Sequence, residues 1–371
     1  MHGVFILVVW LAVETMDAFT LRNDGCMQMS VSAGNQEIIS RGFQTAQLVM
    51  NEFNNNWFLD GFHHLLLSDT DDSQHATGYH PAGMASLSRY NLYREGFVFS
   101  DGGLFNISRN GVADKQFESC MLQMRRVLHG LAMEAFDLLE LDMQSSFEDN
   151  EYLHKMPVIE TPAKIRGYAI RKDNANIMEA HSQWHLKRYK YYSHGEVDGD
   201  YSIDDSRKDQ LMLGAHTDPS LLSIVVHDSP GLNLGCMGLE IKSRNGWCEV
   251  PHHGHAVCTV LLGGAMAHIS PEGSFQSCKH RVNTQNSAFR NGVFDSTIDS
   301  RCAVTYFLRP HPQTVLRPFP SPRGLSLAES TIMSYPKPKR TITFDNWCKR
   351  VSKNYKRSRK KAPSVDSSKE V

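Results

Sequence analysis

The sequence lacks the short motifs that mark several large enzyme classes. It contains no GxGxxG, no GxxxxGK[ST] and no GxSxG, which argues against Rossmann, P-loop and α/β-hydrolase folds. No internal repeat is evident. The eight cysteines form no CxxC pair and no zinc-finger spacing, so they are best interpreted as reduced, mostly buried thiols of an intracellular protein.

Long apolar runs are also scarce. Val4–Val13 is a run of ten apolar residues, which is too short to span a bilayer. It has the length of the apolar part of a signal peptide, but no Lys or Arg precedes it and no clear A-x-A cleavage site follows it. We therefore expect a buried first strand or helix in this segment, and a cytoplasmic rather than a secreted protein.

The chain has almost no net charge because two opposed regions cancel. Its 371 residues carry a formal charge of −1, and with 41% apolar residues they can bury a sizeable core. From Lys337 onward, 12 Lys and Arg residues accompany 3 acids, a balance of +9, whereas residues 1–336 carry −10. The run KRVSKNYKRSRKK at 349–361 fits a nuclear-import, nucleic-acid or anionic-membrane patch, or simply a solvated helix and tail.

The regular patterns change at about residue 165. Between Phe117 and Leu141 apolar residues recur at spacings of three and four, which predicts an amphipathic helix with a core-facing stripe. Short strand-like runs follow after residue 165, and Arg244-Asn245-Gly246 between two of them predicts a tight hairpin. Many short strands predict a β-sandwich or barrel. The clearest runs are Leu222–Val226, Leu239–Ser243, Trp247–Pro251, Ala256–Leu262 and Ala303–Leu308.

Three residues have the types and spacing of a metal site. The 18 histidines invite a search for ligands, and His216 lies two positions before Asp218 at the end of a predicted strand. Side chains at i and i+2 of a strand point to the same side and can bind one ion. His280, 62 residues after Asp218, offers a third ligand. Two imidazoles and one carboxylate on one face of Fe(II) leave the opposite positions open for substrate and O₂.

The segments around these residues resemble the isopenicillin N synthase-like family of 2-oxoglutarate- and Fe(II)-dependent oxygenases. The resemblance runs from about His185 to Leu316 and includes HTDPSLLSIV, GLEI, GGAMAHIS, SFQSCKHRV and RCAVTYFLRP. It implies a mainly β fold with flanking helices, a double-stranded β-helix (a jelly-roll, cupin-like barrel). The implied domains are an N-terminal mixed or helical region packing on the barrel at 1–164, the oxygenase domain at 165–316, and a Pro-rich, then basic C-terminal helix and tail at 317–371.

The resemblance also implies roles for individual residues. The iron ligands of the family match His216, Asp218 and His280. Arg301 matches the residue that binds the far carboxylate of 2-oxoglutarate, and Tyr192 matches a tyrosine that hydrogen-bonds the co-substrate in many members. In the antibiotic-forming oxidase of the family, a similar R-Y-x-Y instead places the first tyrosine, here Tyr189, on the peptide substrate.

The chain departs from the family pattern close to this site. The usual Arg-x-Ser reads Arg301-Cys302-Ala303, which removes a hydroxyl that normally helps to hold the carboxylate. The interval from His280 to Arg301 is longer than usual, so Arg290 is an alternative, although only Arg301 is followed by the matching strand. The usual Gly-Asp reads Gly263-Gly264, which removes a carboxylate next to the ligands.

The activity that the resemblance implies is that of an oxygenase. Fe(II), 2-oxoglutarate and O₂ would act together, and decarboxylation of 2-oxoglutarate to succinate and CO₂ would be coupled to oxidation of a small organic molecule. Hydroxylation is the default outcome, with desaturation and ring closure as alternatives. Two other functions stay open: an oxidase that needs no 2-oxoglutarate, and a non-catalytic barrel scaffold with a basic tail for nucleic acid or membrane. We expect no obligate protein partner.

Overall fold

A computed structural model of the chain describes residues 24–56, 78–80, 94–99, 112–148, 179, 181–190, 211–228, 236–251, 253–270, 275–283, 300–316 and 341–361. Within these residues the strands are β1 (Cys26–Ser30), β2 (Gly78–His80), β3 (Arg94–Phe99), β4 (Gln183–Lys190), β5 (Leu211–His216), β6 (Leu222–His227), β7 (Cys236–Ser243), β8 (Gly246–Pro251), β9 (Val257–Leu262), β10 (His280–Asn283), β11 (Ser300–Leu308), β12 (Val315–Leu316) and β13 (Ile342–Thr343). The helices are α1 (Ala33–Asn56), α2 (Val112–Glu148), α3 (Gly264–Ile269) and α4 (Phe344–Lys361).

Two antiparallel sheets face each other. The larger has seven strands in the order β1-β9-β6-β11-β4-β3-β2, and the smaller has four in the order β5-β10-β7-β8. Val225 of β6 and Leu261 of β9 pack against Leu239 and Ile241 of β7, so apolar side chains fill the space between the sheets. Successive strands β4 to β11 divide between the two sheets as in a jelly roll, which confirms the predicted mainly β fold with flanking helices.

Helices α1 and α2 cover the outer face of the larger sheet. The apolar stripe predicted between Phe117 and Leu141 is buried in one core with both helices and with Trp184 and Leu186 of β4. The helix itself is longer than predicted. Because helices lie on one face of the larger sheet and the smaller sheet lies on the other, all six residues of β6 are buried.

Local signals placed most element boundaries within a residue or two. The predicted hairpin joins β7 to β8 through Arg244 and Asn245, and Gly246 opens β8 with a φ of 130°, a value that glycine tolerates best. The strand predicted from Ala256 begins at Val257, because a 3-10 turn precedes it. The apolar run at 4–13 lies outside the described residues. Within them, no helix has the length and apolar character needed to cross a membrane.

A buried ion pair ties the edge of the larger sheet to helix α1. Glu95 of β3 lies directly opposite Arg188 of β4, and their Oε1 and Nη2 atoms are 2.6 Å apart. The Tyr79 hydroxyl donates to Glu95, and Arg188 donates to Asn51 of α1. Burial and the charge of Glu95 raise the pKa of Tyr79, so the hydroxyl keeps its proton and remains a donor.

Removing one member of this pair should destabilise the fold strongly. Glu95→Ala leaves the Arg188 guanidinium buried without its partner, which should cost about 3–5 kcal/mol of unfolding free energy, measured by urea denaturation. The matched control is Lys349→Ala, which breaks the exposed Lys349–Asp345 pair of α4 and should cost less than about 1 kcal/mol. Equal losses in both variants would contradict this account of the buried pair.

Candidate metal centre

The structure brings the three predicted metal ligands together. His216 ends β5, His280 begins β10, and the two residues lie directly opposite each other in the strand pairing. Asp218 follows β5 by two residues, and its Oδ1 lies 3.4 Å from His216 Nε2 and 3.7 Å from His280 Nε2. One donor atom from each residue falls within 4.8 Å of the others, and no second such group occurs in the part of the chain that the structure describes.

Backbone carbonyls orient both imidazoles. His216 Nδ1 lies 2.8 Å from the carbonyl oxygen of Gly214, and His280 Nδ1 lies 3.2 Å from that of Cys278. A carbonyl can only accept, so each Nδ1 carries the proton and each Nε2 presents its lone pair when the ring is neutral. Both Nε2 atoms point toward Asp218, which is the arrangement that a divalent cation requires of its imidazole ligands.

Asp218 is held as a carboxylate. Burial alone would raise its pKa, but the facing His280 and hydrogen bonds from His216 and Ser223 lower the pKa of Asp218 well below its usual range. The Ser223 hydroxyl donates to Oδ2 over 2.7 Å, which leaves Oδ1 toward the imidazoles. Burial lowers the pKa of His280, but the Asp218 charge and the interactions with Cys278 together outweigh burial and raise the pKa to about 9. This attraction shows that the site favours positive charge.

A glycine next to the ligands gives space to the C-terminal helix. The backbone N–H of Gly264 donates to the Asp218 carbonyl over 2.8 Å. A Cβ at Gly264 would meet the Trp347 ring of α4 at 3.0 Å, so a larger residue there would require the indole to shift. The Trp347 indole thus lies beside Gly264, the position where the family pattern has an aspartate, and Phe344 and Trp347 of α4 are both buried.

Arg301 lies on the same face of the larger sheet as the hydroxyl that holds Asp218. Ser223 of β6 is paired with Phe307 of β11, and positions 307, 305, 303 and 301 alternate onto one face. The Arg301 side chain is 1% exposed, its Nη1 donates to His227 Nδ1 over 3.1 Å, and its guanidinium lies 4.6 Å from the Tyr189 ring centre. The site therefore has a buried cation beyond its metal ligands.

This guanidinium has the environment of a binding site for an anion. Arg301 Nε is buried without a hydrogen-bond acceptor, and no carboxylate of the described residues forms an ion pair with it. A buried charge without a counter-ion is costly, and a guanidinium fork binds a carboxylate through two parallel hydrogen bonds. The donor set thus fits a dicarboxylate such as 2-oxoglutarate, with one end at the ligands and the other at Arg301.

Asp228 lies next to this pocket and is predominantly protonated in mildly acidic solution. Burial raises its pKa to about 6, and a backbone hydrogen bond from Cys302 and the charge of Arg301 offset that only in part. Its Oδ2 accepts from Gln47, whereas its Oδ1 is buried without a partner.

The other predicted residues divide into two groups. Tyr192 and the alternative Arg290 lie outside the described residues, and the role of Tyr192 stays a prediction. Tyr189 is described and stacks on Arg301, so it contributes to the pocket wall. Ala303, which replaces the usual serine, lies between Lys187 of β4 and His227 of β6 in the strand pairing. The His227 ring contacts the Arg301 guanidinium, which the hydroxyl of that serine normally assists in holding the carboxylate.

Sequence reasoning missed two polar residues of the site. Ser223 orients Asp218, and His227 accepts from Arg301. Both lie on β6, and the run LSIVVH gave one signal: its polar residues, Ser223 and His227, are four positions apart and share a face. The near-continuous apolar character of the strand hid that signal, because both of its faces are buried.

Comparison with known proteins agrees with this geometry. Residues 184–310 match the sequence model of the 2OG-Fe(II) oxygenase superfamily. A probable iron/ascorbate oxidoreductase of Dictyostelium discoideum is 34% identical over 87 residues, which is 23% of this chain and 22% of that protein. The chain thus matches less than a quarter of the length of this curated relative.

Two solved structures share the fold at low sequence identity. A full-length protein of Neurospora crassa, solved in complex with alpha-KG, has a TM-score of 0.58 and 14% identity over 90% of this chain and 88% of that one. JOX2, solved in complex with 2OG, Fe and JA, has a TM-score of 0.53 and 14% identity over 89% of this chain and 78% of that one.

Removing the hydroxyl that orients Asp218 should weaken metal binding without removing a ligand. We expect Ser223→Ala to lower the affinity for Fe(II) roughly 10- to 100-fold in anaerobic calorimetric titration, because Asp218 loses the donor that fixes its Oδ2. Ser119→Ala, on the exposed side of α2, is the control and should bind Fe(II) as the wild type does. Unchanged affinity in Ser223→Ala would contradict the role of this hydrogen bond.

Asp228 should make stability depend on pH in a defined direction. Its pKa is higher in the folded protein than in the unfolded chain, so its contribution is complete below about pH 4 and is lost as the pH rises through 6. Asp228→Asn keeps an acceptor for Gln47 and removes the titration. Relative to this variant, the wild type should lose about 1–3 kcal/mol of unfolding free energy between pH 4 and pH 8 in chemical denaturation.

The control for that experiment is Asp345→Asn on α4, whose carboxylate pairs with exposed Lys349. A difference between wild type and Asp228→Asn that stays constant across the pH range would show that the Asp228 carboxyl is not perturbed.

Proposed function

Because residues 184–310 match the 2OG-Fe(II) oxygenase superfamily, we propose that this chain is an iron-dependent oxygenase. It couples the decarboxylation of 2-oxoglutarate to the oxidation of a small organic molecule, with hydroxylation as the default outcome. A cytoplasmic location and the division of the chain at residues 164 and 316 belong to the same proposal.

One observation carries this proposal. Two groups line the same space between the sheets. One is formed by His216, Asp218 and His280, and the other is the buried guanidinium of Arg301, which has no carboxylate partner among the described residues. Either feature alone has simpler explanations, since histidine pairs occur in cores and buried arginines occur in ion-pair networks. Together they provide one group for a cation and a second group for the distal carboxylate of a co-substrate that also binds that cation.

Each residue has a distinct task in this proposal. His216, Asp218 and His280 hold Fe(II), which when bound supplies the activation of O₂ coupled to oxidative decarboxylation. Ser223 keeps Asp218 oriented, and the Gly214 and Cys278 carbonyls keep both imidazoles in the tautomer that can bind a metal. Arg301 binds and orients 2-oxoglutarate, and His227 and Tyr189 hold the guanidinium in place.

The apolar core between the sheets protects this chemistry. Val225, Leu239, Ile241 and Leu261 exclude water beyond the ligands, which strengthens the electrostatic interactions at the site. We assign no proton-transfer dyad or nucleophile to the chain, because Fe(II) held by His216, Asp218 and His280 would supply the oxidising chemistry.

The function is tested by combining Fe(II) and 2-oxoglutarate under anaerobic conditions. The wild type should develop a weak visible charge-transfer band and, on admission of O₂, should release succinate. His216→Ala should lose both. Arg301→Gln should keep metal binding but raise the KM for 2-oxoglutarate roughly 10- to 100-fold, because one charged hydrogen-bonded contact is lost. Arg301→Lys should recover part of that loss.

Three results would overturn the proposal or select an alternative. Absence of the band and of succinate in folded wild-type protein, with no effect of His216→Ala, would favour a non-catalytic scaffold. Substrate-dependent O₂ consumption without succinate would select an oxidase that does not use 2-oxoglutarate. If removal of residues 337–371 reduces nucleic-acid affinity and its salt dependence, the basic tail has a binding role of its own.

A further inference from the structure

Lys187 of β4 faces the space that holds the metal ligands. It lies directly opposite Ala303 of β11, which is two positions from Arg301 on the same face of the sheet. The neighbouring Leu186 and Arg188 point the other way, toward the helices. A lysine is unexpected on this inner face, because further along the same face Val225 and Leu261 belong to the apolar core between the sheets.

The Lys187 amine has no anionic partner among the described residues. It forms none of the ion pairs or hydrogen bonds of the described part of the chain, and the adjacent Glu95 lies on the opposite face with Arg188 and Tyr79. Lys187 is partly buried, and burial together with the charge of Arg94 lowers its pKa well below the usual range. An anion bound beside it would remove this electrostatic penalty.

A second cationic side chain of the larger sheet shares the inner face with Lys187. Arg94 of β3 lies on the same face, one row along the sheet, opposite Tyr189. Gly96 is the residue directly opposite Lys187 on β3; it has a φ of 139°, and a Cβ there would collide with the Leu186 carbonyl, so the two strands approach closely beside Lys187. Strands β6 and β9 of the larger sheet pack against β7 and β8 of the smaller sheet. From the strand order of the two sheets, β4 then faces the region of β5, which carries His216, and β3 lies beyond it.

We propose that Lys187, with Arg94 beside it, binds an oxyanion group of the organic substrate, so that the enzyme oxidises small organic acids. This assignment rests on the proposed function for the reaction, but the binding site itself does not require iron. Arg301 takes the co-substrate carboxylate, and Lys187 and Arg94 take a second anion nearer the open edge of the larger sheet. The substrate is then held at its charged end while another part reaches the metal centre.

The test measures binding without turnover. Ligand-observed NMR with metal-free protein in chelator would use phenylacetate, phenylpropionate and hexanoate, each beside its primary amide, together with phenyl phosphate. The wild type should bind acids more tightly than the matched amides. Lys187→Met, which keeps the length of the side chain and removes its charge, should weaken acid binding roughly 10- to 100-fold and leave amide binding unchanged.

Three further variants separate this inference from the oxygenase function. Lys187→Arg should retain the preference for acids, and Lys242→Met, on an exposed position of β7, should behave as the wild type. His216→Ala removes a metal ligand and should still bind acids, so loss of activity and loss of acid binding can be told apart. Lys187-dependent binding of phenyl phosphate alone would support the site and identify phosphate as its headgroup.

Equal binding of acids and amides by the wild type would overturn the inference. So would a Lys187→Met variant that unfolds at the same urea concentration as the wild type and keeps the full preference for acids. If that variant is unfolded, Lys187→Gln is measured in its place against the same two outcomes.

Discussion

The pairing of β10 with β5 is the constraint on which the candidate metal centre depends. It sets His280 directly opposite His216, although 63 residues separate them along the chain. Asp218 then needs only to continue two residues beyond β5 to meet both imidazoles. A shift of this pairing by one residue would turn one histidine to the opposite face and leave two ligands. The metal site is therefore a property of sheet register, and the carbonyls and hydroxyl around it refine an arrangement that the strands already impose.

The larger sheet serves two purposes through the alternation of its side chains. On β4 and β11, one set of alternate residues packs with α1 and α2, and the other set lines the space between the sheets. The helix-facing set includes Arg188, whose charge is neutralised by the buried Glu95 of β3. The inward-facing set includes Arg301 and Lys187, which lack a carboxylate partner within the described residues. Charge on the helix face thus supports the fold, and charge on the inner face fits ligands.

The sequence was sufficient to predict several elements and to select three candidate ligands, but not the interactions that connect them. Short strand-like runs bounded by turn residues identified β6, β7, β8, β9 and β11, and spacings of three and four identified the core stripe of α2. Resemblance was needed to join His280 to His216, since no local pattern links strands so far apart. Ser223, His227 and Lys187 were not recognised, because their roles arise from the register between neighbouring strands. The contact of Trp347 with Gly264 likewise depends on where α4 docks.

The central claim is that one space between the two sheets binds a metal ion at His216, Asp218 and His280 and a 2-oxoglutarate carboxylate at Arg301. A crystal structure of the anaerobic complex with Fe(II) and 2-oxoglutarate tests this most directly. The account predicts Fe(II) bound by both Nε2 atoms and by Asp218, with the far carboxylate of 2-oxoglutarate on the Arg301 guanidinium. Fe(II) bound elsewhere, or 2-oxoglutarate bound away from Arg301, would contradict it.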